Sequence, residues 1–119
     1  MDVKITADRD DRKLIAEISG DIDHHTSKYI RSEIDCSINE FAPKTLILDF
    51  SKVSFMDSSG IGLVMGRYKI MSELSGEVMI ANTPVYIKKV MQLAGINKLC
   101  RIADISDLTH NDCDGGEKQ

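Results

Sequence analysis

The chain has little of what several specialised protein classes require. Its 119 residues include no tryptophan, three tyrosines, three phenylalanines, two prolines and three cysteines. An odd number of cysteines without a C-x-x-C pair argues against a disulfide framework and against a zinc knuckle. No apolar run approaches the roughly 18 residues of a membrane span, and the first ten residues lack the hydrophobic stretch of a secretory signal. We therefore expect a cytoplasmic protein with no membrane partner.

The charge balance argues against another class of partner. Lys and Arg total 15 against 19 for Asp and Glu, a formal net charge of −4. Nucleic acids attract basic surfaces, so we expect no direct nucleic-acid binding. The composition, 42% hydrophobic and 29% charged, is typical of one globular domain with a single core. Because aromatic residues are few, aliphatic and methionine side chains must fill that core.

Hydrophobic periodicity predicts alternating strands and helices. Apolar residues at two-residue steps, or in short unbroken runs, predict strands at 3–5, 14–18, 46–50 and 78–81, with a weak last strand at 99–102. Apolar residues at three- and four-residue steps predict three helices. Their predicted core residues are Ile30, Ile34, Ile38 and Phe41; then Ile61, Val64, Met65, Tyr68 and Met71; then Ile87, Val90, Met91 and Ala94. This order predicts an α/β fold, a small mixed sheet of four to five strands with helices packed against it.

Turn and cap residues predict where these elements begin and end. The carboxylate of Asp23 is expected to accept the free backbone N–H groups at the start of the first helix. Residues 51–54 are predicted to be a polar connection after the third strand. Thr83 is the predicted N-cap of the third helix, with Pro84 at its first position, and Gly95 is expected to adopt a left-handed conformation after it.

The end of the chain differs in composition from the rest. We predict a helical turn near residues 104–108 and place the domain at residues 1–109. Residues 110–119 contain no apolar residue except Cys113, so we expect them to form a disordered tail.

The strongest candidate for a functional site is the cluster Asp57-Ser58-Ser59-Gly60, which stands where the third strand leads into a helix. Such junctions often carry function in α/β folds. The free N–H groups and the dipole at a helix start favour negative charge, so a phosphate would be stabilised there. Helix capping alone also explains Asp and Ser at this place. The residues by themselves leave both interpretations open.

Three glycines, Gly60, Gly62 and Gly66, lie in or beside the helix that follows. Each destabilises a helix by about 1 kcal/mol relative to Ala. Either this helix packs very close to the sheet or to a neighbouring helix, or Gly60 and Gly62 leave the backbone near Ser58 uncovered so that a partner can reach the hydroxyl. The two explanations are compatible.

Enzymatic and metal-binding interpretations are weaker. A hydrolase would use Ser58 as its nucleophile, but Met56 stands where the G-x-S-x-G elbow requires its first glycine. Nothing in the sequence places His24 or His25 beside Ser58. Adjacent histidines on one loop rarely converge on an ion, and no third ligand follows at a useful spacing. We therefore expect neither catalysis nor a metal site.

Two motifs together resemble a known family. The cluster Asp57-Ser58-Ser59-Gly60, followed by IGLVMGRYK at 61–69, and the segment GDIDHHT at 20–26 closely resemble the two signatures of the anti-sigma factor antagonists, which are built on the STAS domain. The match is best to the branch that controls the sporulation sigma factor F. The resemblance covers about residues 3–108.

This resemblance implies a single STAS domain that acts as a switch. In the family, the unphosphorylated antagonist binds an anti-sigma factor that is also a serine kinase, and the sigma factor is released. The kinase then phosphorylates the first serine of the motif, here Ser58, which ends productive binding. A serine phosphatase removes the phosphate from phospho-Ser58.

The resemblance and the exposed backbone expected near the motif together indicate a partner-binding set. It comprises Asp23, Asp57, Ser58, Ser59, Gly60 and Gly62. No cofactor is implied in this chain, because the partner kinase uses the ATP, and we expect the free chain to be a monomer. Within the same fold, a STAS scaffold or nucleotide-sensing module of a stress-signalling assembly is the alternative.

Overall fold

The structure, a computed structural model, describes residues 2–103. Five strands and three helices alternate as the hydrophobic pattern predicts, and the predicted fold class is confirmed. In chain order the elements are β1 (Asp2–Asp8), β2 (Lys13–Ile22), α1 (Thr26–Phe41), β3 (Thr45–Met56), α2 (Ser58–Glu73), β4 (Glu77–Ala81), α3 (Val85–Leu93), a 3₁₀ turn (Ile96–Lys98) and β5 (Arg101–Ala103).

The strands form one mixed sheet in the spatial order β1-β2-β3-β4-β5. β1 and β2 pair as an antiparallel hairpin, while β2, β3, β4 and β5 are parallel to their neighbours. The carboxyl ends of these four strands therefore lie at one edge of the sheet. The loops that lead into α1, α2 and α3 all begin there.

The main core lies between the helices and one face of the sheet. Alternate residues of β2, β3 and β4 point into it, and α1 contributes Ile30, Ile34 and Ile38, which are fully buried as their four-residue spacing predicts. Burying such a side chain contributes about 1.5–3 kcal/mol. A smaller cluster on the other face of the sheet contains Ile47, Met79 and Ala81.

The predicted polar connection at residues 51–54 is wrong, because β3 continues without a break to Met56. This extension passes the end of β4, whose pairing stops at Ala81, and pairs only with the last residues of β2. With a neighbour on one side only, most of its side chains are exposed, which explains the polar sequence. Val53 and Met56 still point into the core. β2 accordingly extends beyond its predicted end, to Ile22.

The buried face of α2 differs from the predicted one. Met65 was expected in the core but is 43% exposed, whereas Arg67 is buried. The first turns of this helix carry apolar side chains on most of their circumference, so the spacing of apolar residues did not determine which face is buried. In α3 the predicted core residues Ile87 and Met91 are buried, while Val90 and Ala94 are exposed.

The predicted cap of α3 is also wrong. Pro84 has an extended ψ of 149° and flanks the helix, which begins at Val85 without a side-chain cap. The Thr83 hydroxyl is therefore not a cap, and it is buried without a hydrogen-bond partner within residues 2–103. Gly95 has φ 83°, which confirms the left-handed conformation. The weak last strand exists but spans Arg101–Ala103.

The domain limit at residue 109, the helical turn near 104–108 and the tail at 110–119 lie outside the described residues and stay predictions.

Candidate functional site

The two motifs that the sequence singles out lie side by side at the carboxyl edge of the sheet. β2 ends at Ile22 and β3 at Met56, and these two residues are paired. The backbone N–H of Asp57 then donates to the carbonyl oxygen of Ile22 across 3.1 Å. This bond holds the loop that begins at Asp23 against the start of α2.

Asp57 is the N-cap of α2. Its backbone is extended, at φ −98° and ψ −168°, and its carboxylate Oδ1 accepts the backbone N–H of Ser59 at 2.8 Å. The N–H of Gly60 donates to the carbonyl oxygen of Asp57 at 3.0 Å. Asp57 thus satisfies two of the N–H groups that a helix start leaves free. The capping interpretation of this aspartate is correct, and it leaves the serine beside it without a structural role.

Ser58 is the first residue of α2 and is exposed. Within residues 2–103 its side chain makes no hydrogen bond, and no histidine or carboxylate is bonded to its hydroxyl. The hydroxyl therefore lies free at the positive end of a helix, where an added phosphate is favoured by the helix dipole. Such a group can accept a phosphoryl group from an external enzyme, because that enzyme brings its own base.

Asp23 caps the other helix start through a reciprocal pair of bonds with Thr26. Oδ1 of Asp23 accepts the N–H groups of His25 and Thr26, both at 2.9 Å. The Thr26 hydroxyl accepts the N–H of Asp23 at 3.0 Å and donates to the carbonyl oxygen of Asp21 at 2.8 Å. The N-cap position of α1 is His25, so the predicted N-cap at Asp23 is two residues too early, but the Asp23 carboxylate still accepts the first N–H of the helix, that of Thr26.

The same hydrogen bonds change the acidity of this loop. The bond from the Thr26 N–H, reinforced by the one from His25, lowers the pKa of Asp23 despite some opposing desolvation. Asp23 therefore loses its proton more readily than a free aspartate does. With Asp57 it places two carboxylates on either side of the bond that joins the two loops.

The sequence left two explanations for the glycines of α2, close packing of the helix and uncovered backbone near Ser58. The structure supports the first for Gly60 and the second for Gly62. A Cβ on Gly60 would collide with Cγ and Sδ of Met56, so the start of the helix packs directly on the end of β3. A Cβ on Gly62 or Gly66 would meet nothing within 4 Å. Gly60 is therefore required for close packing, whereas Gly62 leaves bare backbone on the surface one turn from Ser58.

A groove of about 290 Å³ lies beside these residues, between α1 and α2. From the α2 side it is lined by Ser59, Gly62 and Leu63. From the α1 side it is lined by His24, Ser27, Lys28 and Arg31. No sequence pattern singled out Lys28 or Arg31. Their three-residue spacing puts them on one face of α1, but only the packing of α2 against that face makes the groove.

A buried ion pair links the same two helices. Nε of Arg67 lies 2.9 Å from Oδ1 of Asp35, and the arginine side chain is only 5% exposed. Burial lowers the pKa of Arg67, the charge of Asp35 opposes this, and the nearby charge of Arg31 adds to the lowering. This pair too was not foreseen, since nothing in the local sequence marks an arginine of α2 as buried.

The part of the chain that the structure describes contains neither a candidate metal site nor a membrane-spanning helix. No group of three or more His, Cys, Asp or Glu side chains there is placed to hold a metal ion. None of the helices in that part is long and apolar enough to cross a membrane.

Comparison with known proteins places the chain in a family. The STAS domain family model matches residues 4–109. The chain belongs to the STAS domain family. An anti-sigma F factor antagonist of Paenibacillus polymyxa is 31% identical to it over 104 residues, which is 87% of this chain and 89% of the relative.

Solved structures agree with this membership. The anti-sigma factor antagonist SpoIIAA in its unphosphorylated form matches 98% of this STAS chain and 100% of its own, with 28% identity and a TM-score of 0.76. The Bacillus cell fate determinant SpoIIAA in the phosphorylated form matches 92% of this chain and 98% of its own, with 29% identity and a TM-score of 0.71. The resemblance inferred from the two motifs is confirmed.

Proposed function

We propose that this chain is an anti-sigma factor antagonist whose binding to its anti-sigma factor is ended by phosphorylation of Ser58. One observation carries the proposal: an exposed serine hydroxyl without a hydrogen bond within residues 2–103 stands at the first position of α2, directly after the aspartate that caps this helix. The relatives reported above are named as anti-sigma factor antagonists. One of the similar structures is that of a phosphorylated form.

Phosphorylation at this position would change the surface more than the fold. A phosphate adds about −1.5 to −2 charges and three acceptor oxygens. The start of α2 favours negative charge, so the helix itself tolerates the group. The surface already carries the carboxylates of Asp23 and Asp57, and the added charge would leave it strongly negative. A partner that docks on it would then face like-charge repulsion and a larger desolvation cost.

The partner in this proposal is an anti-sigma factor that is also a serine kinase. Its ATP and Mg²⁺ would supply the transfer chemistry, so this chain needs only a positioned hydroxyl and no cofactor of its own. A serine phosphatase would restore the unphosphorylated state. The set Asp23, Asp57, Ser58, Ser59, Gly60 and Gly62 would contact the kinase, with sporulation sigma factor F as the factor released.

The test is intact-mass spectrometry after incubation with a candidate anti-sigma kinase and ATP. The native chain is expected to gain one phosphate, and Ser58→Ala none. Ser59→Ala is the matched control, because it removes the neighbouring hydroxyl and leaves the backbone N–H that Asp57 caps; it should gain one phosphate. No gain by the native chain would contradict the proposal, and a gain by Ser58→Ala would assign the site to another residue.

A further inference from the structure

The groove between α1 and α2 carries positive charge on an otherwise acidic chain. Lys28 and Arg31 line it and are exposed. Within residues 2–103 neither side chain has a salt bridge or hydrogen bond to an acidic group. The chain as a whole has a net charge of −4. Two unpaired cations beside the start of α2 are therefore a local reversal of the surface charge.

One turn further along α1 and α2, an ion pair between Asp35 and Arg67 continues the contact between the two helices. Asp35 follows Arg31 by four residues and Arg67 follows Leu63 by four, so the Asp35–Arg67 pair continues the same α1–α2 contact. Asp35 forms its ion pair with Arg67, and within the described residues it forms no salt bridge with Arg31. Nη1 of Arg67 is buried and has no hydrogen-bond partner within the described residues. Lys28 and Arg31 therefore give the groove lining two positive charges that no salt bridge within the described residues neutralises.

The groove offers recognition of a carboxylate by side chains and not recognition of a phosphate by backbone N–H groups. Phosphate sites at helix starts use free backbone N–H groups, but here Asp23 already binds those of His25 and Thr26, and Asp57 binds that of Ser59. The groove offers side-chain charges instead, and the planar guanidinium of an arginine matches a carboxylate through two parallel hydrogen bonds.

We propose that the α1–α2 groove is the docking surface for an acidic segment of the anti-sigma partner, whose carboxylates contact Lys28 and Arg31. This inference rests on the proposed function and names the chemistry that the partner must present. It also accounts for the effect of phosphorylation. Ser59 lines the groove and Ser58 precedes it in the chain, so a phosphate on Ser58 would add negative charge close to the groove that the acidic segment must approach.

The experiment compares two charge-reversed variants that carry the same net charge. The groove variant is Lys28→Glu with Arg31→Glu. The control is Lys44→Glu with Lys98→Glu, because these exposed lysines precede the parallel strands β3 and β5 and so lie at the opposite edge of the sheet. Association with the anti-sigma kinase is measured by stopped-flow at several NaCl concentrations, and circular dichroism melts verify that each variant folds. The milder pair Lys28→Gln with Arg31→Gln is used if the reversal unfolds the chain.

The groove variant is expected to associate about ten-fold more slowly at low salt, with a weaker dependence on salt than the native chain. The control should stay within about two-fold of native, since its changed charges lie far from the interface. Equal rates for the groove variant and the native chain, with the native chain still bound and phosphorylated on Ser58, would overturn this inference and leave the proposed function intact. No binding by the native chain would overturn both.

A separate titration distinguishes carboxylate from phosphate as the occupant. ATP is added to the chain alone, and binding is followed by calorimetry for the native chain and for the groove variant. We expect no ATP binding that depends on Lys28 and Arg31. If the native chain bound ATP and the groove variant did not, the groove would be a phosphate site and the acidic-segment proposal would be wrong.

Discussion

The backbone N–H of Asp57 donates to the carbonyl oxygen of Ile22 across 3.1 Å, and this one bond joins the ends of two parallel strands. Each strand leads into a helix whose first donors are bound by an aspartate, Asp23 in one case and Asp57 in the other. The candidate site is therefore held by backbone pairing, while its side chains stay available at the surface. Substitutions at Ser58, at Asp23 and Asp57, and at the glycines of α2 test separate parts of this arrangement.

Ser58→Ala is expected to leave the free energy of unfolding within about 0.5 kcal/mol of native, because the hydroxyl is exposed and has no hydrogen bond within the described residues. It should bind the anti-sigma kinase as the native chain does. Ser58→Glu should bind about ten-fold or more weakly, since a carboxylate at this position partly reproduces the charge of a phosphate. Urea unfolding and surface plasmon resonance measure the two effects, and equal affinity for both variants would argue against Ser58 as the switch.

Asp57→Ala should lower the free energy of unfolding by about 1 kcal/mol, because the N–H of Ser59 loses its acceptor at the start of α2. Asp57→Asn is the matched control. Asparagine is as good an N-cap as aspartate and keeps the side-chain oxygen, so most of the loss should disappear. Urea denaturation of the three proteins at neutral pH makes the comparison. A loss of the same size in Asp57→Asn would mean that charge, and not capping, is what the residue contributes.

The lowered pKa of Asp23 predicts a specific pH dependence of stability. The folded pKa lies below the unfolded value of 3.8, so the unfolded chain binds the proton more readily. The stabilisation by Asp23 is therefore fully present above that value and is lost as pH falls through the folded pKa. Free energies of unfolding from about pH 6 to about pH 2 should fall less steeply for Asp23→Asn than for the native chain. Parallel curves for the two proteins would show that Asp23 makes no such contribution.

Gly60 and Gly62 should respond oppositely to the same change. Gly60→Ala places a methyl group against Cγ of Met56, closer than van der Waals contact allows, and should destabilise the chain by about 1–3 kcal/mol. Gly62→Ala meets open space in a helix and should stabilise it by about 0.5–1 kcal/mol. Thermal and urea unfolding of both variants provide the measurement, and each variant is the control for the other. Destabilisation of similar size by both would contradict the close packing assigned to Gly60 alone.

Local pattern determined much of this protein. The four-residue spacing of Ile30, Ile34 and Ile38 predicted a buried helix face correctly, because that repeat is a property of the helix itself. The positions of Asp23 and Asp57 just before helices also predicted their capping bonds, since those bonds connect residues two or three apart. Features that depend on a residue and its near neighbours could therefore be inferred from the sequence alone.

The extent of β3 and the buried face of α2 depended on contacts between segments that are distant in sequence. The extension of β3 through residues 51–54 is a strand only because β2 pairs with it, and its own polar sequence predicted a loop. Met65 is exposed and Arg67 buried because α1 packs on one side of a helix that is apolar around most of its start.

In the candidate site, too, some features follow from the local sequence and others from contacts between distant segments. Its serine and its two capping aspartates were readable in the sequence, but their proximity depends on the parallel pairing of β2 and β3. The groove beside them exists only because α2 packs against the face of α1 that carries Lys28 and Arg31. Residue type and spacing therefore specified the chemistry of single positions, whereas strand pairing and helix packing decided which positions meet. The reason is that short-range periodicity records the conformation of one segment and carries no information about which other segment covers it.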